Sequence, residues 1–246
     1  VSSFFPPFGY RHVRPLQQSD YVRLLEQGEL PPFARDSQTM PLGDSEIALA
    51  YSHYPIVFVR DPTTGEHHTV VLLGLSPGQN LFSNSRGWDA DVYVPAYVRR
   101  FPFCMATAAN GSEPGDRVVC VESQYASSSY IEGSERLFDT GEGSSGWAAI
   151  RQFLEESEAD LTLARDFARR LAEFELLKPL AIEAYERGQR SDLLYVSEER
   201  LAKLATRAIV ALHRNGDLGR IHSHLASLGR LQALRVRALN QARAVL

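Results

Sequence analysis

The sequence contains no uninterrupted apolar run approaching the roughly 18 residues that a membrane-spanning helix needs, which argues against a helical span. Cysteine is scarce, with two in 246 residues. That is too few for a disulfide framework and fits a reducing compartment, so a soluble, cytoplasmic protein is expected. The opening stretch "VSSFFPPFGYRHVRPL" lacks the charged-then-apolar order of a secretory signal, and the chain does not begin with Met. The Walker loop and H-E-x-x-H are missing. So is any aromatic residue after Tyr195, which leaves the C-terminal part without platforms for stacking bases.

Hydrophobic residues make up 44% of the chain and charged residues 23%, an ordinary balance for one large domain or two small ones. The formal net charge of −4 conceals a division. From Arg200 onward nine Lys or Arg accompany one acidic residue, Asp217, giving +8, and the rest of the chain carries −12. A basic tail on an acidic body points to nucleic acid, to an acidic partner, or to the body itself. Arg200, Lys203, Arg207 and Arg214 share one helix face, with Leu201, Leu204, Ala208 and Leu212 on another. That is the pattern of an amphipathic surface helix, and with charge as its only support a nucleic-acid partner is disfavoured.

Periodicity and turn chemistry predict an α+β fold: a mostly antiparallel β first half behind an irregular N-terminal segment, then a mostly helical second half with one further hairpin. Within the N-terminal segment a short helix is expected around Ser19 to Glu26. "GDSEIALAYSHY" reads as another, with Asp44 or Ser45 as cap and a stop at Tyr54, before Pro55. "PIVFV" and "HTVVLLGL" flank the turn-forming "DPTTGE" and predict a hairpin; "PFCMAT" and "RVVCVE" predict a second one around "NGSEPGD". "SQYASSSYIEGSERLFDTGEGSSG" reads as a long loop. Trp147 to Phe174 have helical spacing, with a break expected near Ser157 to Asp160. "LAIEAYERGQRSDLLYVS" predicts a hairpin at about 179–197, turning at "RGQRSD". Ser197 caps a helix that Asn215-Gly216 stops, and a last helix begins near Asp217 with a slip at Gly229. Residues 1–146 thus read as a β-rich part and 147–246 as a helical part packed on it as one unit.

Three constellations need testing. "GEGSSG" matches G-x-G-x-x-G, but a dinucleotide loop needs a strand directly before it and a parallel strand after the helix. Only "RLFD" precedes it and about thirty helical residues follow, so it reads as a linker. The histidines lack ligand geometry: His222 and His224 are two apart on a helix, His67 and His68 adjacent on a strand, and the others stand singly. No metal site and no cofactor are expected. Cys104 and Cys120 lie in apolar strands, where inert thiols are found, opposite or nearly opposite each other if the second hairpin turns near Gly111 and Ser112.

In order along the chain, "YPIVFV", "LLGLSPGQNLF", "GWDADVYVPAYVRRFPF" and "LFDTGEG" closely resemble the signature of the SapC family. "LLKPLAIEAYERG", "YVSEERLAKL" and "LHRNGDLGRIHSHLASLGRL" continue the resemblance, which runs from about Phe33 to about Arg237. "DPTTGEHH" and "TAANGSEPGD" are longer connections than the family pattern leads one to expect. The resemblance implies a bacterial accessory protein. Its family is named for a gene beside surface-layer genes, and its members often lie near outer-membrane receptor, cupin-like and flavin halogenase-like genes. It implies no catalytic mechanism, so no catalytic residue carries over.

The central motif puts Arg99 and Arg100 among apolar residues, where a guanidinium needs a partner. One reading is an internal ion pair with a carboxylate; the other is a ligand or peptide site. On the second reading Trp88, Arg99, Arg100, Asn80, Tyr97 and Arg35 are the ligand-binding candidates, with Arg100 the structural member of the adjacent pair and Arg99 lining the site. The expected function is that of an accessory or binding protein that recognises a peptide, a protein partner or a small anionic ligand. The alternative is an enzyme or enzyme subunit working with a partner oxygenase or halogenase at the same cluster. Oligomeric state is left open.

Overall fold

The computed structural model describes residues 4–107, 117–139, 142–143, 145–181 and 192–244. The chain is α+β, with antiparallel sheets in the first half and helices dominating the second. It divides into two compact units interleaved in sequence: Val1–Ala34, Ser85–Gly87 and Ala96–Ala159 form the first, and Arg35–Asn84, Trp88–Pro95 and Asp160–Leu246 the second.

The first unit is built on an antiparallel sheet ordered Val13–Pro15, Arg117–Glu122, Phe103–Thr107. The alternation in "FCMAT" and "RVVCVE" turns Phe103 and Val121 into a core with Val22, Ala126, Leu137 and Leu154. The helix expected at Ser19 to Glu26 is instead the strand Tyr21–Arg23, the middle of a small sheet between Ala126–Ser127 and Ser134–Arg136. Tyr and Val favour the pleated surface, and Val22 is fully buried between two half-buried neighbours, a period of two rather than 3.6. The preceding chain is tied down by ionic groups. Arg14 grips Asp20 with two hydrogen bonds, and Glu122 accepts from the backbone N–H groups of Arg11 and His12. The stretch expected as a long loop contains these short strands and one more antiparallel pair, Phe138–Asp139 with Glu142–Gly143. Most of "GEGSSG" is therefore a return strand and the start of a helix; Gly141 and Ser144 lie outside the described residues.

The second unit carries a five-stranded antiparallel sheet ordered Leu177–Pro179, Leu193–Val196, Ile56–Arg60, His67–Leu72, Thr39–Pro41. Its central hairpin pairs Ile56 with Val71 through to Arg60 with His67, and Asp61 closes the turn by accepting from Thr63 N and Thr64 N. The turns expected for the other two hairpins, "NGSEPGD" and "RGQRSD" up to Ser191, lie outside the described residues. Short helices Ile47–Ala50, Glu198–Ala202, Thr206–Arg214, Asp217–Ser227 and Arg230–Ala244 complete this unit.

Ser145–Glu173 is one continuous 29-residue helix, without the break expected near Ser157 to Asp160. That segment holds no Gly or Pro, and Asp160 finds its partner beyond the helix, accepting from Ser45 N and Ser45 Oγ. The opposite correction applies after Ser197, which caps as expected by accepting from Arg200 N. The helix then stops at Ala202 and restarts at Thr206, with Ala205 in extended backbone. Nothing in "LAKLAT" disfavours helix, so tertiary packing overrides propensity there. The slip at Gly229 is a full break between two helices.

Candidate functional site

The sequence-predicted cluster is distributed between the two units: Tyr97, Arg99 and Arg100 belong to the first, and Arg35, Asn80 and Trp88 to the second.

In the first unit, Ala96–Arg99 is one turn of helix opened by Pro95, whose missing N–H costs nothing at that position. Arg99 and Arg100 therefore point in different directions. Arg100 is 2% exposed. Its Nη1 donates to Glu158 Oε1 at 2.6 Å, and its guanidinium stacks on Tyr97 at 3.9 Å from the ring centroid. Glu158 also receives Arg117 on its other oxygen, so one carboxylate serves two cations. Tyr10, Phe33, Tyr97 and Phe101 pack ring to ring beside it. Gly9 is required there, because a Cβ would lie 2.5 Å from the Phe33 ring. Tyr97 Oη donates to the Phe8 carbonyl and Tyr10 Oη to that of Phe103. Burial pushes the Tyr97 phenol up to about 12. Arg99 is exposed, with its guanidinium over the Phe153 ring.

In the second unit Trp88 Nε1 donates to Tyr54 Oη at 2.8 Å, and Tyr54 Oη donates to the Tyr93 carbonyl at 2.6 Å. Tyr93 Oη in turn donates to the buried Glu46, whose second oxygen takes Gly43 N. Asn80 is also buried and shapes the neighbouring loop by accepting from Phe82 N. The Phe82 ring lies between Tyr54, 4.5 Å away, and the Arg237 guanidinium, 4.4 Å away. Arg237 donates through Nη1 to Asp89 Oδ2 and to the Leu81 carbonyl. Trp88 and Asn80 are thus brought to one place, with Arg237 as its cation. Arg35 is exposed at the end of the turn Pro32–Arg35.

Glu158, Tyr54, Phe82 and Arg237 were not singled out in the sequence. Two left a signal: Glu158 stands four residues after Leu154 on the buried side of its helix, and Arg237 three after the buried Leu234. A charge on an apolar seam implies a partner. Tyr54 and Phe82 looked like ordinary core.

Several of the tail's cations are paired, as is Arg170 on the long preceding helix. Arg220 pairs with Asp44 and Asp217, Arg170 grips Asp217 with two hydrogen bonds, and Lys203 holds Glu199. Of the nine basic residues from Arg200 onward, Lys203, Arg220 and Arg237 are thus paired with carboxylates inside the second unit.

Cys104 and Cys120 are free, fully buried and directly opposite in register. Burial pushes their thiols up to about 12 and about 11. Among the described residues no group of three or more His, Cys, Asp or Glu is placed to hold a metal ion, and no helix is long and apolar enough to cross a membrane.

These features define an α+β protein of two compact units, each with its own cation–aromatic cluster, buried in the first and partly exposed in the second. The SapC family model matches residues 20–234, and the chain belongs to the SapC family. No curated protein and no solved structure matches it.

Proposed function

We propose that this chain works by binding rather than by chemistry, as a SapC-family accessory protein that takes a peptide or protein partner at the Trp88, Asp89 and Arg237 surface of its second unit. One observation carries the reading: buried phenols, thiols and an imidazole that could serve as nucleophile, acid or base are moved away from neutrality. Burial raises Tyr10, Tyr54, Tyr97, Cys104 and Cys120, and lowers His224 to about 4. A catalytic group is ordinarily shifted the other way, toward the working pH. Trp88, Asp89 and Arg237, by contrast, stay partly exposed. They offer an aromatic wall with both signs of charge, a combination suited to a peptide. The same reading keeps the protein in a reducing, cytoplasmic setting, in line with its free thiols.

Native mass spectrometry of the purified protein tests this. The expected result is the mass of the polypeptide alone. A stoichiometric flavin, iron or 2-oxo acid would overturn the binding reading in favour of an enzyme.

A further inference from the structure

We infer that the open edge of the Arg237 guanidinium is a carboxylate-recognition site, with Trp88 beside it as the apolar wall. The inference rests on the binding reading above and names the group that is bound. Arg237 presents five N–H donors in a planar fork, and the fork suits a carboxylate best when two parallel hydrogen bonds form. Its ion pair with Asp89 uses only Nη1, which also reaches the Leu81 carbonyl. Among the described residues nothing accepts from Nε or Nη2. The Arg237 side chain is 39% exposed.

The guanidinium is also held in place. Phe82 supports one face at 4.4 Å, with Tyr54 packed against Phe82, and a planar cation on an aromatic face loses little further freedom on binding. The carbonyl of Phe82 accepts from Asp89 N, which fixes the loop carrying both Trp88 and Asp89. Compare Arg170, which meets Asp217 through Nε and Nη2 together at 2.8 Å each. That is the arrangement a carboxylate would adopt on Arg237, whose corresponding atoms are unoccupied. Asp89 anchors the guanidinium end-on and tempers its charge, which selects a ligand able to form both parallel bonds over a simple counter-ion.

The carboxylate is the end of a peptide, an acidic side chain or a small acid. These sources are separated with four probes: a Gly-Gly-Leu peptide with a free C-terminus, the same peptide as its amide, an amide with Glu in the last position, and acetate. The readout is the Arg237 Nε–Hε cross-peak in ¹⁵N NMR, assigned by its loss in Arg237→Lys, together with Trp88 emission in a Trp147→Phe background. At least one carboxylate probe is expected to shift the cross-peak saturably, and the amide to bind about tenfold more weakly or worse. Arg237→Lys keeps the charge without the fork and is expected to weaken binding by a similar factor, while Asp89→Asn, which removes a neighbouring like charge, tightens it. Circular dichroism checks that each variant is folded. Equal binding of acid and amide would overturn the carboxylate site while leaving a peptide surface standing. A cross-peak unmoved by every probe would overturn it outright. Neither outcome bears on whether the protein carries a cofactor, which native mass spectrometry decides separately.

Discussion

Arg100 reaches Glu158 across 58 residues of sequence and donates to it at 2.6 Å, from a side chain that is 1% exposed. Such a pair is costly to break, because the survivor is left charged and out of water. Tyr97 lies against the flat face of the guanidinium, so the planar shape matters as well as the charge. Arg100→Lys should therefore cost on the order of 3 kcal/mol. Arg99→Lys, changing an exposed neighbour over Phe153, should stay within about 0.5 kcal/mol. Paired thermal melts check this; equal shifts for the two variants would refute the division of roles.

Cys104 and Cys120 face each other, yet the register keeps their thiols apart. Glu122 N donates to the Pro102 carbonyl, so the pair two steps before the cysteines is a hydrogen-bonded one, and by alternation so is Cys104 with Cys120. In such pairs the Cβ atoms stand near the wide end of about 4.5–5.5 Å, beyond the roughly 3.5–4.5 Å a disulfide accepts. With Cys104 raised to about 12, only about one part in 10⁵ is thiolate at neutral pH. Thiol titration without reductant should find almost no fast-reacting groups in the folded protein and two after unfolding. A count of zero after unfolding would mean that a disulfide forms despite the register.

Ser197 accepts from Arg200 N at the start of Glu198–Ala202. Its own backbone N–H is held by the Leu176 carbonyl, so the cap joins that helix to the adjoining strand. Ser197→Ala should lower stability by about 1 kcal/mol. Ser197→Asp, which keeps an acceptor and suits the helix dipole, should recover most of it. Urea denaturation of the two variants separates cap loss from a general intolerance of the position.

The hairpins were legible because "PIVFV" and "HTVVLLGL" combine β-branched runs with a strong turn, and both signals are local. Ser197, Asn215-Gly216 and Gly229 were legible for the same reason. Tyr21–Arg23 was not: three residues carry too little period to tell strand from helix, and partners more than a hundred residues away decide it. The uninterrupted helix through Ser157 to Asp160 also depends on distant contacts, since Ser45 is what satisfies Asp160. At the site, the motif pointed to Trp88 and to the need for a buried partner beside Arg100. Glu158 and Arg237 come from other segments, and a single sequence pairs no residue with a partner 58 or 148 positions away.

His224 supplies the last prediction, on pH. Strands Leu193–Val196 and Ile56–Arg60 pair at Leu193 with Val59 and Leu194 with Phe58, and beyond that pairing the imidazole bridges them. Val196 N donates to Nε2, which leaves the Nδ1 proton for the Ile56 carbonyl at 2.9 Å. Both nitrogens are used only in the neutral ring. A second proton would put N–H against N–H at Val196, and burial, the main cause, lowers the group to about 4. An unfolded histidine takes its proton near 6.5. Between those values the unfolded state binds the proton and the folded state does not, so the contribution is complete above about pH 6.5 and lost as pH falls toward about 4. Between about pH 7.5 and about pH 5 the loss should be about 2 kcal/mol, arising from this residue. His224→Gln removes the titration and should flatten that part of the profile while lowering stability at neutral pH. Urea unfolding of both proteins across the range measures it, and parallel profiles would show that His224 is not the group responsible.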